Sequence, residues 1–104
     1  MEIVYASLTP RQGEGVRPGD EAEVVDVLWA HCLPADGLQH VSAQSESGRL
    51  DLLLYFLTPD SLGTPSVLER AHTLITRSHR ISPWLNRRYL AQEPLTTYEG
   101  INSC

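Results

Sequence analysis

One stretch of the sequence decides the fold: Leu50-Asp51-Leu52-Leu53-Leu54-Tyr55-Phe56-Leu57. It has the length of a β-strand and lies between turn residues. Side chains alternate between the two faces of a strand, and this stretch is apolar on both faces from Leu52 onward. A strand with one solvated face would alternate with polar residues, so we expect a cover on each side. One face would carry Leu50, Leu52, Leu54 and Phe56, and the other Leu53, Tyr55 and Leu57.

Five main elements follow from the pattern around this strand, in the order β-α-β-β-α. The first helix is expected to begin with Asp20 as its N-cap and Glu23 closing a capping box, and to reach about Leu33 before Pro34. The other predicted elements are a strand at Ile3–Leu8, a strand at Leu38–Ser45, a helix from Thr64-Pro65 to about Arg80, a short helix from Ser82-Pro83 to Leu90, and weak strand character at Thr96–Tyr98.

This order of elements resembles the ferredoxin-like superfold. The resemblance implies an α+β fold, an antiparallel sheet with two helices on one face, to which this chain adds a short C-terminal helix and a possible edge strand. We expect a single domain over residues 1–104. Residues 82–104 would form a C-terminal extension that packs on the sheet or on a partner subunit.

In this architecture the second face of the sheet stays open unless something covers it. The C-terminal segment offers apolar residues, and a second copy of the chain is the alternative. We favour the homodimer, with exchanged tails as a combination of both. The predicted interface residues are Leu53, Tyr55, Leu57, Trp84 and Tyr89; the tail would contribute Trp84, Leu85, Tyr89, Leu90, Leu95, Tyr98 and Ile101.

Composition excludes several classes of protein. The net charge of −5 argues against nucleic acid as a partner. No apolar run has the length of a membrane span, and the N-terminus lacks the features of a signal peptide, so we expect no membrane association. The two cysteines, Cys32 and Cys104, form no disulfide or metal pattern, which favours a reducing cytoplasm. All eight basic residues are arginine, as in proteins of GC-rich bacteria.

Five of these arginines fall in the last third of the chain: Arg70, Arg77, Arg80, Arg87 and Arg88. They would form an anion-binding surface if they shared a face. The favoured alternative is that the two helices lie side by side and these arginines offset Glu21, Glu23 and Asp26. Such a balance would be structural and would bind no ligand.

No catalytic, cofactor or metal signature appears, so we expect no cofactor and assign no catalytic residue or metal ligand. We expect a binding or protein-interaction module that associates with itself and possibly with another protein. The alternative is a small cofactor-free enzyme, with a ligand pocket between helices and sheet near Trp29, His40 and Tyr55. At fold level this resembles the dimeric α+β-barrel oxygenases and cyclases of bacterial secondary metabolism.

Overall fold

The computed structural model describes residues 1–58 and 66–92. Its strands and helices follow the predicted order, including the short third helix. They are β1 (Glu2–Leu8), α1 (Asp20–Ala30), β2 (Leu38–Glu46), β3 (Arg49–Phe56), α2 (Val67–Ile81) and α3 (Pro83–Arg88), with a 3-10 turn at Pro34–Asp36 between α1 and β2. The edge strand predicted at Thr96–Tyr98 lies outside the described residues.

The three strands form one antiparallel sheet in the order β1-β3-β2. The α+β fold is therefore confirmed, and the arrangement is consistent with the ferredoxin-like superfold, although this sheet has three strands. The doubly apolar stretch is the central strand. In β2 the register shifts between Leu38 and His40, so Gln39 forms a bulge in this edge strand.

One face of the sheet and the inner faces of the helices form a single core. Val4, Leu52 and Leu54 are fully buried from the sheet, as are Leu28 and Leu74 from α1 and α2. The side chains of β3 alternate as predicted, because Leu50, Leu52, Leu54 and Phe56 are all buried while Leu53 is exposed. In the described part of the chain, no helix is long and apolar enough to cross a membrane.

The predicted start of α1 is wrong by one residue. Gly19, with φ +93°, is the N-cap, and no side chain caps the helix. Asp20 is the first helical residue, and its buried carboxylate accepts hydrogen bonds from Arg88 and Tyr89. The helix ends at Ala30 rather than Leu33, because Leu33 takes the extended conformation favoured before a proline.

The start of α2 is set by a capping box at Ser66, whereas the sequence pattern predicts a start at Thr64-Pro65. Ser66 is the N-cap: its hydroxyl accepts from the Glu69 amide at 3.2 Å, and the Glu69 carboxylate accepts from the Ser66 amide at 3.0 Å. Thr64 and Pro65, the predicted start, lie outside the described residues. The helix ends at Ile81, one residue beyond the prediction.

Candidate functional site: the open face of the sheet

The face of the sheet opposite the helices is the candidate site, and we call it the open face. The strand register arranges its side chains in three rows that cross all three strands, with Glu46 and Arg49 paired beyond them. The rows are Ile3–Tyr55–His40, Tyr5–Leu53–Ser42 and Ser7–Asp51–Gln44. Among the described residues, no helix packs on these side chains.

The apolar part of the open face is concentrated on β1 and β3. Leu53 is 36% exposed at the centre, and Ile3, Tyr5 and Tyr55 surround it, each only partly buried. His40 lies beside Tyr55, with ring centroids 5.4 Å apart. An apolar centre with a polar border is the usual composition of a surface that binds another protein.

The polar end of the open face is a hydrogen-bonded group around Asp51. Its carboxylate accepts from the Arg49 guanidinium and the Ser7 hydroxyl, both at 2.8 Å, and Ser7 also contacts the Tyr5 hydroxyl at 3.0 Å. Partial burial by itself would raise the pKa of Asp51. The hydrogen bonds from Arg49, Ser7 and Tyr5 outweigh that effect, so the pKa lies below its ordinary value and the carboxylate is ionised at neutral pH.

A shallow depression of about 250 Å³ lies between the apolar and polar parts of the open face. It is lined by Tyr5, Ser42, Ala43, Gln44, Asp51 and Leu53. Its volume is below the usual range for small-molecule sites. The depression therefore suits one inserted side chain or a small polar group better than a large organic ligand.

The three residues predicted to form a ligand pocket do not share one. His40 and Tyr55 are neighbours on the open face. Trp29 is 43% exposed on α1 and lines a separate depression of about 370 Å³ with Cys32, Leu33, Pro34, Gly37, Leu38, Gln39 and Leu57. The hypothesis of an enzyme pocket stays a prediction, and the structure brings together two of its three residues.

The predicted interface residues fall in three places. Leu53 and Tyr55 lie on the open face, and Leu57 lies past the end of β3, 52% exposed beside Trp29. Tyr89 is fully buried in the core on the helical side of the sheet, and Trp84 packs against that core. The tail residues Leu95, Tyr98 and Ile101 lie outside the described residues.

Three of the five arginines predicted to bind anions are held inside the fold. Arg77 pairs with the Asp36 carboxylate at 2.9 Å, and Arg88 pairs with that of Asp20 at 2.7 Å. Arg70 donates to the carbonyls of Asp36 and Leu57, at 3.0 and 2.8 Å, and its guanidinium lies 5.5 Å from the centre of the Phe56 ring. Arg80 and Arg87 are exposed.

The partners of these arginines differ from those expected. Asp20, Asp36 and Glu14 form the ion pairs, instead of Glu21, Glu23 and Asp26. Asp20 and Asp36 are buried at the N-terminal end of α1 and the C-terminal end of the 3-10 turn, and the arginines pair with these carboxylates instead of the predicted ones. The arginines thus join the second half of the chain to the first.

A buried cluster of Asp20, Arg88 and Tyr89 was missed by the sequence reasoning. The Asp20 carboxylate accepts from the Tyr89 hydroxyl and from Arg88, each at 2.7 Å, and from the Arg17 amide at 3.0 Å. Burial alone would raise the pKa of Asp20, but these hydrogen bonds hold it below 3.8. Burial and the adjacent carboxylate raise the pKa of Tyr89. Asp20 and Tyr89 are 69 positions apart in sequence, so no local signal indicated this contact.

Within residues 1–58 and 66–92, no three His, Cys, Asp or Glu side chains come together as metal ligands. The Cys32 thiol is partly buried, and burial and the nearby Asp36 carboxylate raise its pKa. A raised pKa makes a thiol less reactive at neutral pH, because the thiolate is the nucleophile. This residue is therefore a poor candidate for nucleophilic chemistry.

Comparison with known proteins adds no family to this description. The chain matches no family model, no curated protein and no solved structure.

Proposed function

We propose that this chain is a small binding or protein-interaction module that associates with a second copy of itself through the open face. One observation carries the proposal. The helices cover one face of the sheet, while the other face keeps Ile3, Tyr5, Leu53 and Tyr55 contiguous and partly exposed. Removing this apolar surface from water would favour association.

The composition of the open face supports a protein partner over a small ligand. Tyrosines give large contact area at low cost in conformational entropy, and two of them flank the central leucine. The polar end, where Asp51 is already satisfied by Arg49 and Ser7, would lie at the border of the contact. Buried polar groups that already have partners add no penalty there.

The size of the open face predicts a weak dimer. The side chains of these three short strands make a surface smaller than the roughly 20–30 residues per partner of a standard stable interface. We therefore expect monomer and dimer to exchange, with the dimer favoured as the concentration rises. Association with a different protein through the same face is the second form of the proposal.

Sedimentation velocity or light scattering after size exclusion, over a wide range of concentrations, tests this proposal. We expect the unmodified chain to shift from monomer to dimer. Leu53→Arg should keep the protein monomeric at every concentration, because it places a charge at the centre of the contact. Since Leu53 is already 36% exposed, this substitution should leave the fold intact, which circular dichroism checks.

The matched control is Ile81→Arg. Ile81 is an exposed apolar residue at the end of α2, away from the open face, so this variant should dimerise like the unmodified chain. A chain that is monomeric at every concentration would contradict self-association. A dimer that Leu53→Arg leaves unchanged would show that another surface mediates it.

We also propose that the protein is located in a bacterial cytoplasm. This location rests on the sequence: the cysteine usage and the arginine-only basic residues. Activity as a small enzyme of secondary metabolism stays a weaker alternative, because Trp29 lines a depression to which His40 and Tyr55 do not contribute.

A further inference from the structure

A second depression, which we call the Trp29 depression, lies between the end of α1, the 3-10 turn and the neighbouring ends of β2 and β3. Its volume is about 370 Å³, within the usual range for small-molecule sites. Within the described part of the chain it is lined by Trp29, Cys32, Leu33, Pro34, Gly37, Leu38, Gln39 and Leu57. None of these residues belongs to the three rows of the open face.

Three large apolar side chains of the Trp29 depression are exposed. Trp29, Leu33 and Leu57 are 43, 51 and 52% exposed. Single exposed apolar residues are common on protein surfaces, whereas several around one concave surface indicate a binding site. A ligand that removed these three side chains from water would gain free energy by doing so.

Arg70 holds one side of the depression in place. Its guanidinium donates to the carbonyls of Asp36 and Leu57, at 3.0 and 2.8 Å. The Leu57 amide in turn donates to the Gly37 carbonyl at 2.9 Å. The residue after β3 and the end of the 3-10 turn are therefore tied to each other and to α2.

Arg77 holds the other side. It donates to the His31 carbonyl and to the Asp36 carboxylate, both at 2.9 Å. The same carboxylate accepts from the Leu33 amide at 2.7 Å. The backbone that carries the exposed apolar side chains is thus fixed before any ligand arrives, and binding would cost little conformational entropy.

The chemistry of the lining selects an uncharged ligand. The described lining residues include no acidic, basic or histidine side chain. Burial and the nearby Asp36 carboxylate raise the pKa of Cys32, so its thiol is neutral at neutral pH. An ionic group would lose its water there without gaining a counter-charge. The exposed side-chain amide of Gln39, at the bulge of β2, offers one hydrogen-bond donor or acceptor.

We propose that the Trp29 depression binds a small uncharged aromatic molecule that carries one hydrogen-bonding group. Its ring would pack against the Trp29 indole and the side chains of Leu33 and Leu57. Aromatic rings attract each other beyond the effect of burial alone. The hydrogen-bonding group would meet the Gln39 amide. This site is separate from the open face and does not depend on the proposed function.

Titration of the dilute full chain with indole, followed by heteronuclear NMR, tests this inference. Indole is uncharged, aromatic and has one N–H donor. We expect saturable shifts at the backbone amides of Gly37 and Gln39 and at the side-chain N–H of Trp29. Indole-carboxylate, which has the same rings and a negative charge, should bind roughly tenfold more weakly.

Leu57→Ser and Ile81→Ser are matched variants, because both residues are 52% exposed. Leu57→Ser should weaken indole binding roughly three- to tenfold, since it removes apolar contact from the depression. Ile81→Ser, at the end of α2 and outside the depression, should bind indole like the unmodified chain. Trp29→Ala should weaken binding at least as much as Leu57→Ser, and circular dichroism checks the fold of each variant.

Four results would overturn the inference. They are the absence of saturable shifts, shifts at Tyr5 and Ser42 on the open face instead, equal binding of indole and indole-carboxylate, and equal effects of Leu57→Ser and Ile81→Ser. The variant Leu53→Arg separates this site from the proposed function. It should lose the dimer and still bind indole, because Leu53 does not line the Trp29 depression.

Discussion

Gly37 is a residue whose identity is set by a partner far along the chain. It follows the 3-10 turn with φ +71°, and a Cβ there would lie 2.5 Å from the Nη1 atom of Arg70. Arg70 cannot move away cheaply, because it is 7% exposed and donates to two backbone carbonyls. An Asp-Gly pair is typical of a turn, but only the structure shows the guanidinium against Gly37.

Gly37→Ala should therefore destabilise the protein more than Gly48→Ala. Both glycines have positive φ, so both substitutions strain the backbone by on the order of 1 kcal/mol. Gly48 has no atom within 4 Å of the added Cβ, whereas at Gly37 the alanine also displaces Arg70. We expect Gly37→Ala to cost about 1–2 kcal/mol more in urea unfolding. Equal costs for the two variants would mean that Arg70 rearranges without loss.

Asp20 is the residue on which the buried cluster depends. Asp20→Asn keeps the size of the side chain but leaves the Arg88 guanidinium with only the partly exposed Glu14 carboxylate as counter-charge. We expect a loss of about 3 kcal/mol in the free energy of unfolding, measured by urea denaturation at neutral pH. The control is Glu23→Gln on the exposed side of the same helix turn. This variant should lose only roughly a few tenths of a kcal/mol in the free energy of unfolding. Similar losses in both variants would contradict this role for the cluster.

At the scale of elements, α2 shows how a capping box places a helix start. The sequence contains both Thr64-Pro65 and Ser66-x-x-Glu69, each a reasonable start signal. The structure begins the helix after Ser66, where two reciprocal hydrogen bonds satisfy the first amides. The buried residues of the helix include Ala71, Leu74, Ile75 and Ser78, which recur at helical spacing on one face.

Ser66→Ala should lower the stability of the protein by about 1 kcal/mol, the usual cost of losing a cap. The measurement is urea unfolding followed by circular dichroism. Thr73→Ala is the control, since Thr73 lies exposed in the middle of α2, where alanine is a better helix former. It should leave the stability unchanged or slightly raised. A Ser66→Ala protein as stable as the unmodified chain would show that the cap contributes nothing.

Element types were largely predictable, while the helix ends depended on contacts between distant residues. The strands and helices follow from alternation and helical periodicity, both of which are local. The predicted N-terminus of α1 was wrong because an aspartate at position 20 could either cap the helix or accept hydrogen bonds from distant residues. The contacts with Arg88 and Tyr89 decide between these two roles. The open face was predicted correctly in part: the alternation of β3 gave Leu53 and Tyr55, but the neighbours Tyr5, Ser7 and Ser42 come from strand register.

At the scale of the whole molecule, two carboxylates link stability to pH. Asp20 and Asp51 both have pKa values held below the ordinary value by their partners in the folded state. Folding therefore favours their ionised forms. This contribution is fully present above the pKa of the unfolded chain, near 3.8, and is lost as the pH falls through the lower folded values.

We expect the free energy of unfolding to fall as the pH is lowered from about 5 to about 3. The Asp20→Asn variant should lose less over this range, because it lacks one of the two groups. The difference in stability between the unmodified chain and Asp20→Asn, measured by urea unfolding at each pH, should shrink toward acid pH. A difference that stays constant would mean that Asp20 has the same pKa in the folded and unfolded states.

The sequence by itself determined the order of the elements, the helix-facing side of the sheet and the doubly apolar character of the central strand. These properties depend on the spacing of apolar residues along a few consecutive turns or pleats. The tertiary structure decided which charges pair, which arginines are buried and which side chains meet on the open face. Those contacts join residues far apart in sequence, such as Asp20 with Tyr89, and depend on how the strands are ordered and the helices packed.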